Sequence, residues 1–253
     1  MNNTKVSIIM PSYNSMKYIS ASINSVINQT YENWELIIVD DCSTDGSSIY
    51  IGNLLQALQD TRIKYLKQKV NKGAAESRNI AMANASGKFI AFLDSDDIWD
   101  QNKLKLQIEF MIKNDFDFTY HNYSAFDSEL EKVLYNVKCP PKINYDAYAK
   151  NTIIGCLTVV FNKTKFDNYT MPIIKSSQDM ALWLKLLRSV EHAYCLELNL
   201  AKYRVLSNSN SSSKYKASID VWRVYRTIEK INLIQSIYFF INYLINAVKK
   251  RVL

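Results

Sequence analysis

The segment Phe89-Ile-Ala-Phe-Leu-Asp94-Ser-Asp-Asp97-Ile-Trp-Asp100 decides the fold class. Its five leading apolar residues are typical of a strand that is buried on both faces, as in a parallel sheet. Three carboxylates follow within four positions, and a cation between them would relieve their mutual repulsion. Alternatively, Asp96 or Asp97 only caps a helix that begins near Asp100, for which one carboxylate would be sufficient. Because hard oxygen ligands suit Mg²⁺ or Mn²⁺, we favour a metal site at this strand end.

The sequence before this segment alternates predicted strands with predicted helices. Short apolar runs predict strands at 6–10, 34–39, 63–66 and 89–93. Helical spacing of apolar or small residues predicts helices at 16–28, 47–58 and 73–85. Strands separated by helices of this length indicate βαβ units and a parallel sheet. Ligands of such sheets bind at the carboxyl ends of the strands.

The pattern changes after residue 114, where strands become less regular. We expect strands at 116–120, 158–161 and 193–205, a helix at 176–187, a polar loop at 207–213 and a long helix at 219–253. The long helix is amphipathic, because its apolar residues fall mostly at three- and four-residue steps. The sequence therefore predicts the α/β class, with a mixed, mostly parallel central sheet flanked by helices and a long C-terminal amphipathic helix.

The positive charge of the chain is concentrated at its C-terminal end. The 253 residues include 31 Lys and Arg against 24 Asp and Glu, a net charge of +7. Residues 214–253 alone contain eight basic and two acidic residues, a net charge of +6. The remaining body is nearly neutral and has no recognised nucleic-acid-binding motif, so we predict no nucleic-acid partner. Basic residues beside the aromatic run 238–244 favour a helix that lies on anionic lipid, although packing on the protein is the alternative.

Cysteine and histidine usage argues against zinc clusters and disulfide frameworks. The four cysteines are far apart without Cys-x-x-Cys spacing, and only two histidines are present. The apolar run 6–10 is too short for a signal peptide. We also find no window of about 18 uninterrupted apolar residues, the length that a spanning helix needs. We therefore expect a protein of the reducing cytosol.

A second acidic pair, Asp40-Asp41, follows the predicted strand 34–39. The pair could simply form a turn leading into Ser43-Thr-Asp45-Gly46. However, two acidic strand ends in one parallel sheet line the same edge, where one could bind a nucleobase N–H and the other a metal. The chain has neither Gly-x-Gly-x-x-Gly nor a P-loop motif, so the cation and a basic side chain would have to neutralise the phosphates of a nucleotide.

Four segments match one known family in the right order. They are Val6-Ser-Ile-Ile-Met-Pro-Ser-Tyr-Asn14, Glu35-Leu-Ile-Ile-Val-Asp-Asp-Cys-Ser-Thr-Asp-Gly46, Asn71-Lys-Gly-Ala-Ala-Glu-Ser-Arg-Asn79 and Asp94-Ser-Asp-Asp97. With these motifs the chain resembles the family 2 glycosyltransferases, which have the A-type nucleotide-sugar-binding fold. The resemblance covers residues 5–110 and returns at Gln178-Asp179 and at Lys202-Tyr-Arg-Val205.

The resemblance implies a division of the chain. Residues 1–213 would form one glycosyltransferase domain, with a nucleotide-sugar-binding half at 1–110 and an acceptor-binding half at 111–213. Residues 214–253 would form the basic amphipathic helix.

The resemblance also implies roles for individual residues. The residues implied to bind the nucleotide sugar are Pro11 and Tyr13 beside the nucleobase, Asp41 as the reader of uracil, Arg78 at the diphosphate, and Asp94 and Ser95. Asp96 is implied as the direct metal ligand, together with Asp94, for Mn²⁺ or Mg²⁺. Asp179 matches the catalytic base of the family.

Two of these positions have simpler interpretations, and two others depart from the family pattern. Arg78 could be a solvated surface charge, and Asp179 could serve only the positive end of a helix dipole. The usual Glu-Asp pair is Gln178-Asp179 here, and Leu206 replaces a histidine found in many members.

The implied activity is inverting, metal-dependent transfer of a hexose, glucose or galactose, from a UDP-sugar. The implied acceptor is a saccharide linked to polyprenyl diphosphate in bacterial O-antigen or lipopolysaccharide synthesis, and the product linkage is β. The enzyme would lie in the cytoplasm, peripherally associated with the inner face of the membrane and its anionic lipid. The alternative is a non-catalytic nucleotide-sugar-binding or assembly subunit, against which the intact Asp179 argues.

Overall fold

The computed structural model describes residues 4–206 and 214–252. The predicted polar loop at 207–213 therefore lies outside the described residues. The strands are β1 (Val6–Ser12), β2 (Trp34–Asp40), β3 (Ile63–Lys67), β4 (Phe89–Phe92), β5 (Ile98–Trp99), β6 (Phe118–Phe126), β7 (Val133–Val137), β8 (Lys142–Ile143), β9 (Val160–Asn162) and β10 (Ala193–Arg204). The helices are α1 (Ile19–Ile27), α2 (Ser47–Leu58), α3 (Ala74–Ala83), α4 (Lys103–Asn114), α5 (Tyr145–Lys150), α6 (Gln178–Leu187), α7 (Lys214–Arg223) and α8 (Leu233–Val252).

One mixed sheet runs through the molecule in the order β3-β2-β1-β4-β9-β6-β10-β5. Strands β3, β2, β1 and β4 are mutually parallel, as the alternation of strands and helices predicts. Strand β9 is antiparallel to both β4 and β6, and β10 runs parallel to β6. The predicted α/β fold class, with helices on both sides of a central sheet, is confirmed.

The central strands are buried because both of their faces are covered. Every residue of β1, β2 and β4 is buried, which explains why these segments are apolar without alternation. The chain enters β4 through Gly87, where a Cβ atom would lie 2.7 Å from the carbonyl oxygen of Lys5. Only glycine fits this close approach, which brings β4 beside β1 and sets the acidic ends of β2 and β4 at one edge.

The C-terminal segment differs from the predicted helix at 219–253 in its extent. Helix α7 runs into a π-helical stretch, Val224–Ile228, and α8 begins only at Leu233. Glu229 ends the first part: it is buried, its carboxylate lies 2.8 Å from Arg188, and the hydroxyl of Tyr145 donates to it at 2.8 Å. The chain therefore breaks where a buried ion pair holds it, and the amphipathic helix itself is α8.

The break also divides the predicted apolar stripe between two environments. Val221, Val224 and Tyr225 before the break, and Phe239 of α8, belong to the main hydrophobic core. An opposite row on α8 is exposed and consists of Leu233, Ile234, Ile237, Tyr238, Ile241, Leu244 and Ile245. Within the two described ranges, none of the helices combines the length and the apolar composition that crossing a bilayer requires.

Candidate active site

The end of β2 is held by hydrogen bonds from the protein. Asp40 is fully buried and accepts from the amide of Ser43 at 3.1 Å, from the hydroxyl of Ser48 and from that of Tyr65 at 3.1 Å. The turn interpretation of the acidic pair therefore describes Asp40 well. This carboxylate shapes the loop and is not available to a ligand.

Asp41 is also buried, but its hydrogen bonding is incomplete. Its carboxylate accepts from the side chain of Gln68 at 2.9 Å and from the amides of Lys72 at 2.8 Å and Gly73 at 2.7 Å. An ionised carboxylate offers about four lone-pair positions, so one acceptor position remains. This group is fixed in direction and can accept from one further N–H, as base recognition needs.

The loop after β1 is tied to the loop after β2. Asn14 has a left-handed backbone (φ 48°), which asparagine tolerates, and its side chain accepts from the amide of Thr44 at 2.8 Å. Asp45, in the loop after β2, accepts a hydrogen bond from a backbone amide of the loop after β1 at 3.0 Å. Pro11 is buried near the end of β1, and the loop after this strand carries Tyr13, which is 51% exposed. An exposed ring on an anchored loop is suited to stack on a planar ligand.

Arg78 meets the second acidic strand end. It lies in α3, is only 6% exposed, and donates to Asp94 at 2.5 Å. The interpretation of Arg78 as a solvated surface charge is therefore wrong. Its Nε atom is buried without a hydrogen-bond partner among the described residues. The guanidinium therefore brings a buried positive charge to the carboxylates that follow β4.

The carboxylates after β4 are crowded and poorly neutralised. Burial and the neighbouring charge of Asp94 raise the pKa of Asp96 to about 6. Burial and the charges of Asp96 and Asp94 raise the pKa of Asp97 well above its usual value, although the amide of Arg204 donates to it at 2.8 Å. Ser95 between them is buried. Such a cluster is strained when fully ionised, and a bound cation would relieve it.

The donor set fits a metal that shares its shell with a substrate. Across the described residues, no group of three or more His, Cys, Asp and Glu side chains could hold an ion alone. Asp94 and Asp96 could supply one or two oxygens, and the diphosphate of a nucleotide could supply others. Mg²⁺ is commonly held in this way, by one or two carboxylates together with substrate phosphates.

Asp179 lies in the first turn of α6 and belongs to the same electrostatic environment. Burial raises the pKa of its carboxyl group against the opposing cation of Arg78, and the charge of Asp94 adds to the rise. A raised pKa makes the carboxylate a stronger base. The preceding Gln178 is buried, so the departure from the family's Glu-Asp pair removes a buried charge. Asp179, Arg78 and Asp94 thus come together from three distant parts of the chain.

The sequence did not reveal two further residues near Asp179. Cys156, in a 3-10 turn (Cys156–Thr158), and Tyr148, in α5, both interact electrostatically with Asp179. Both lie in the stretch 115–175, where no motif marks them. Arg204 was part of a recognised motif, but only the structure reveals its contacts with the acidic cluster.

The sheet, the acidic edge and the adjacent carboxylate of α6 define an A-type glycosyltransferase. Residues 7–169 match the sequence model described as Glycosyl transferase family 2, and the chain belongs to this family. The prediction that it is a glycosyltransferase is confirmed. Divalent metals are typical of enzymes with this fold.

Proteins of similar sequence act in bacterial surface-polysaccharide synthesis. A Bacillus subtilis (strain 168) protein named as a teichuronic acid biosynthesis glycosyltransferase, TuaG, is 42% identical over 255 residues, 99% of this chain and 100% of the relative. The Escherichia coli UDP-Glc:alpha-D-GlcNAc-diphosphoundecaprenol beta-1,3-glucosyltransferase WfgD is 41% identical over 252 residues, 99% of this chain and 96% of the relative. S. aureus TarS 1-349, solved in complex with UDP-GlcNAc, has a TM-score of 0.75 at 22% identity, covering 95% of this chain and 71% of that chain. The structural likeness concerns the fold alone.

Proposed function

We propose that the protein transfers a hexose from a UDP-sugar to a saccharide on polyprenyl diphosphate, with inversion to a β-linkage. Glucose is the preferred donor sugar and galactose the alternative. The observation that carries the proposal is the convergence of Asp96, Arg78 and Asp179 at one edge of the sheet. The name and the near-complete coverage of WfgD support the donor and the acceptor class.

Asp179 acts as the general base in this proposal. It accepts the proton of the acceptor hydroxyl while that oxygen attacks the anomeric carbon and the bond to the UDP oxygen breaks. A single displacement converts an α-linked donor into a β-linked product without a covalent intermediate. The raised pKa of Asp179 suits this task, because a base works best when its pKa is close to the operating pH.

Arg78, Asp94 and Asp96 receive the leaving diphosphate. Arg78 is fixed by Asp94, and its positive charge would attract the phosphate oxygens. Asp96, with Asp94, would hold Mn²⁺ or Mg²⁺, and the bound ion supplies neutralisation of the charge that develops on the departing UDP. Burial of these groups strengthens every charge interaction made there.

Asp41 and Tyr13 select the nucleotide. The remaining acceptor position of Asp41 takes the N3–H of uracil, a donor that cytosine lacks, and the exposed ring of Tyr13 stacks on the base. Because Asp41 is fixed by backbone amides, it cannot turn to adapt to another base. Uridine nucleotides are therefore the preferred donors.

A transfer assay on a defined acceptor tests the proposal. UDP-glucose and UDP-galactose are offered with a synthetic GlcNAc-diphosphate-lipid, and the anomeric configuration of the product is read by NMR. We expect a β-linked product with UDP-glucose, and turnover that is about 10²–10⁴-fold lower with Asp179→Asn. An α-linked product, or transfer that requires no Asp179, would contradict the mechanism. Transfer to other diphosphate-linked sugars only would retain the mechanism and correct the acceptor.

The exposed row on α8 is proposed to rest on the anionic inner leaflet of the membrane, where a lipid-linked acceptor is found. Ile234 is 83% exposed, and its neighbours on this face are apolar or aromatic. Each Lys or Arg near such a surface contributes about 1 kcal/mol, so the net charge of residues 214–253 supports reversible docking. In this proposal the enzyme is a peripheral protein on the cytoplasmic side of the membrane.

Vesicle co-sedimentation tests the docking. Vesicles with anionic lipid should bind the protein, and binding should weaken as salt rises, because charges are screened over about 10 Å at 0.1 M salt. The double variant Ile234→Ser/Ile241→Ser should bind less. Ile49→Ser, at a 72% exposed isoleucine of α2, is the matched control and should bind like the wild type. Binding independent of lipid charge would reject this surface.

A further inference from the structure

Arg204, the last residue of β10, is buried against the acidic cluster. Only 5% of it is exposed. It belongs to the motif Lys202-Tyr-Arg-Val205, whose residues have no role in the proposed transfer reaction. A buried guanidinium is costly unless its donors are satisfied, so its contacts are informative about its role.

The guanidinium of Arg204 holds the main chain of the loop after β4 that carries Asp94, Asp96 and Asp97, which we call the acidic loop. Its Nε donates to the carbonyl oxygen of Asp96 at 2.7 Å, and its Nη1 donates to the carbonyl of Ser128 in the turn after β6. The Cζ atom of the guanidinium lies over the ring of Tyr18, 4.4 Å from its centre. One side chain thus joins three segments: the start of α1, the acidic loop and the turn after β6.

The backbone of the same residue acts on the neighbouring carboxylate. The Arg204 amide donates to Asp97 at 2.8 Å and holds that side chain towards β10. Asp97 is thereby turned inwards, whereas the Asp96 carboxylate, within the part of the chain that the structure describes, has a hydrogen bond only with its own backbone. The direction of the Asp96 carboxylate consequently depends on the Asp96 peptide, whose carbonyl oxygen accepts the hydrogen bond from Arg204.

We propose that Arg204 is a positioning residue that fixes the Asp96 peptide so that the Asp96 carboxylate meets the metal–diphosphate group. The inference rests on the proposed function of Asp96. Arginine suits this role because its planar fork donates in two directions while its face stacks on an aromatic ring. Lysine keeps the charge but cannot do both.

Metal binding provides a readout that does not depend on turnover. Mn²⁺ retention in the presence of UDP is measured by EPR for the wild type, Arg204→Lys and Arg204→Gln. We expect Mn²⁺ affinity to fall about 10–100-fold in both variants, the range typical of residues that orient metal ligands. UDP affinity without metal should stay unchanged. Excess Mn²⁺ should restore much of kcat, since Asp179 is intact.

Arg62→Gln is the matched control. Arg62 also stacks on an aromatic ring, with its guanidinium 3.8 Å from the ring centre of Trp34, and is paired with Asp60 far from the acidic loop. Its loss should leave Mn²⁺ affinity unchanged. If both Arg204 variants fail to fold, the variant Tyr18→Leu tests the positioning role instead. It removes the ring under the guanidinium of Arg204 and leaves the hydrogen bonds of Arg204 in place. It should weaken Mn²⁺ binding, by less than we expect for the Arg204 variants.

The outcomes separate this inference from the function on which it rests. If the wild type binds UDP but retains no Mn²⁺, the proposed metal site itself is refuted. A wild type that retains Mn²⁺, with Arg204→Lys equal to it, would overturn the positioning role and leave the proposed function standing. An equal loss of metal-free UDP binding would also overturn it, because the role would then be general support of the fold.

Discussion

The two acidic strand ends of the sheet are alike in sequence and opposite in their hydrogen bonding. At the end of β2, Asp40 and Asp41 accept at least three hydrogen bonds each from the protein. At the end of β4, burial and mutual repulsion raise the pKa of Asp96 and Asp97. Both ends carry crowded carboxylates, and the supply of N–H and O–H donors distinguishes them.

This difference indicates what each end can bind. A carboxylate that already accepts three hydrogen bonds can accept about one more. A carboxylate raised in pKa by burial and like charge gains most from a cation. The β2 end is therefore suited to recognise a neutral base, and the β4 end to hold a metal.

Asp96→Asn should give the largest effect, because it removes the oxygen that we assign to the metal. A catalytic metal supplies several kcal/mol, so kcat/KM should fall about 10⁴-fold or more. Mn²⁺ retention with UDP should also be lost. Asp100→Asn, three residues after the cluster, is the control and should keep activity. Full activity of the wild type in EDTA would refute the cation assignment.

Asp179→Asn should separate the base from the metal site. We expect kcat to fall about 10²–10⁴-fold, the usual contribution of a general base. Binding of UDP and Mn²⁺, measured by calorimetry, should remain close to wild type, since the β4 end is untouched. If the turnover of the variant stays above about a tenth of the wild-type value, the loss is smaller than the contribution of a general base. Asp179 would then only stabilise the start of its helix.

Asp41→Ala should raise the KM for the UDP-sugar more than it lowers kcat, because base recognition contributes equally to the ground and transition states. We expect about a tenfold rise, typical of one lost hydrogen bond to a charged group. The variant should also lose about 1 kcal/mol of stability, because part-buried donors of Gln68, Lys72 and Gly73 lose their acceptor. A lower kcat with unchanged KM would contradict this placement.

The smallest effect concerns pH and the ligand-free protein. The folded-state pKa of Asp96 is about 6, above its unfolded value, so the folded state binds more protons between about pH 4 and 6. The stability contributed by Asp96 therefore falls as pH rises through this window. Asp96→Asn should raise the ligand-free Tm at pH 7 by a few degrees, about 2–4 °C per kcal/mol for a chain of this size.

Metal affinity should show the opposite dependence on pH. A protonated Asp96 is a poor ligand, so Mn²⁺ binding should weaken as pH falls below about 6. Calorimetry at pH 5 and 7 checks both directions. A Tm of Asp96→Asn below that of the wild type at pH 7 would show that the acidic cluster is satisfied by the protein itself, and the contrast with the β2 end would fail.

The parallel half of the fold was predictable because its signals are local. The apolar runs that became β1, β2 and β4 reflect burial on both faces, and the topology of a parallel sheet then brings their ends together. The motif resemblance supplied Arg78, whose burial beside Asp94 agrees with a role at the site. The roles and the domain boundaries themselves stay predictions.

Features decided by distant contacts could not be read from the sequence. The break before α8 depends on Glu229 meeting Tyr145 and Arg188, residues far away along the chain. Two of the three hydrogen bonds to the Asp41 carboxylate come from backbone amides, which have no sequence signature. The apolar residues that recur at helical spacing across 219–253 belong to two surfaces instead of one: some pack into the main core, and others form the exposed row on α8.

The divided C-terminal segment makes the tail an integral part of the enzyme. Val221, Val224, Tyr225 and Phe239 fill the main core, and the side chain of Asn246 donates to a carbonyl of α5. Removing one large buried side chain costs about 2–5 kcal/mol, so a truncated chain without these residues would exhaust the stability of an ordinary domain. The membrane-binding surface proposed on α8 could therefore not be gained or lost as a detachable module, and it would change only through substitutions on the exposed face of α8.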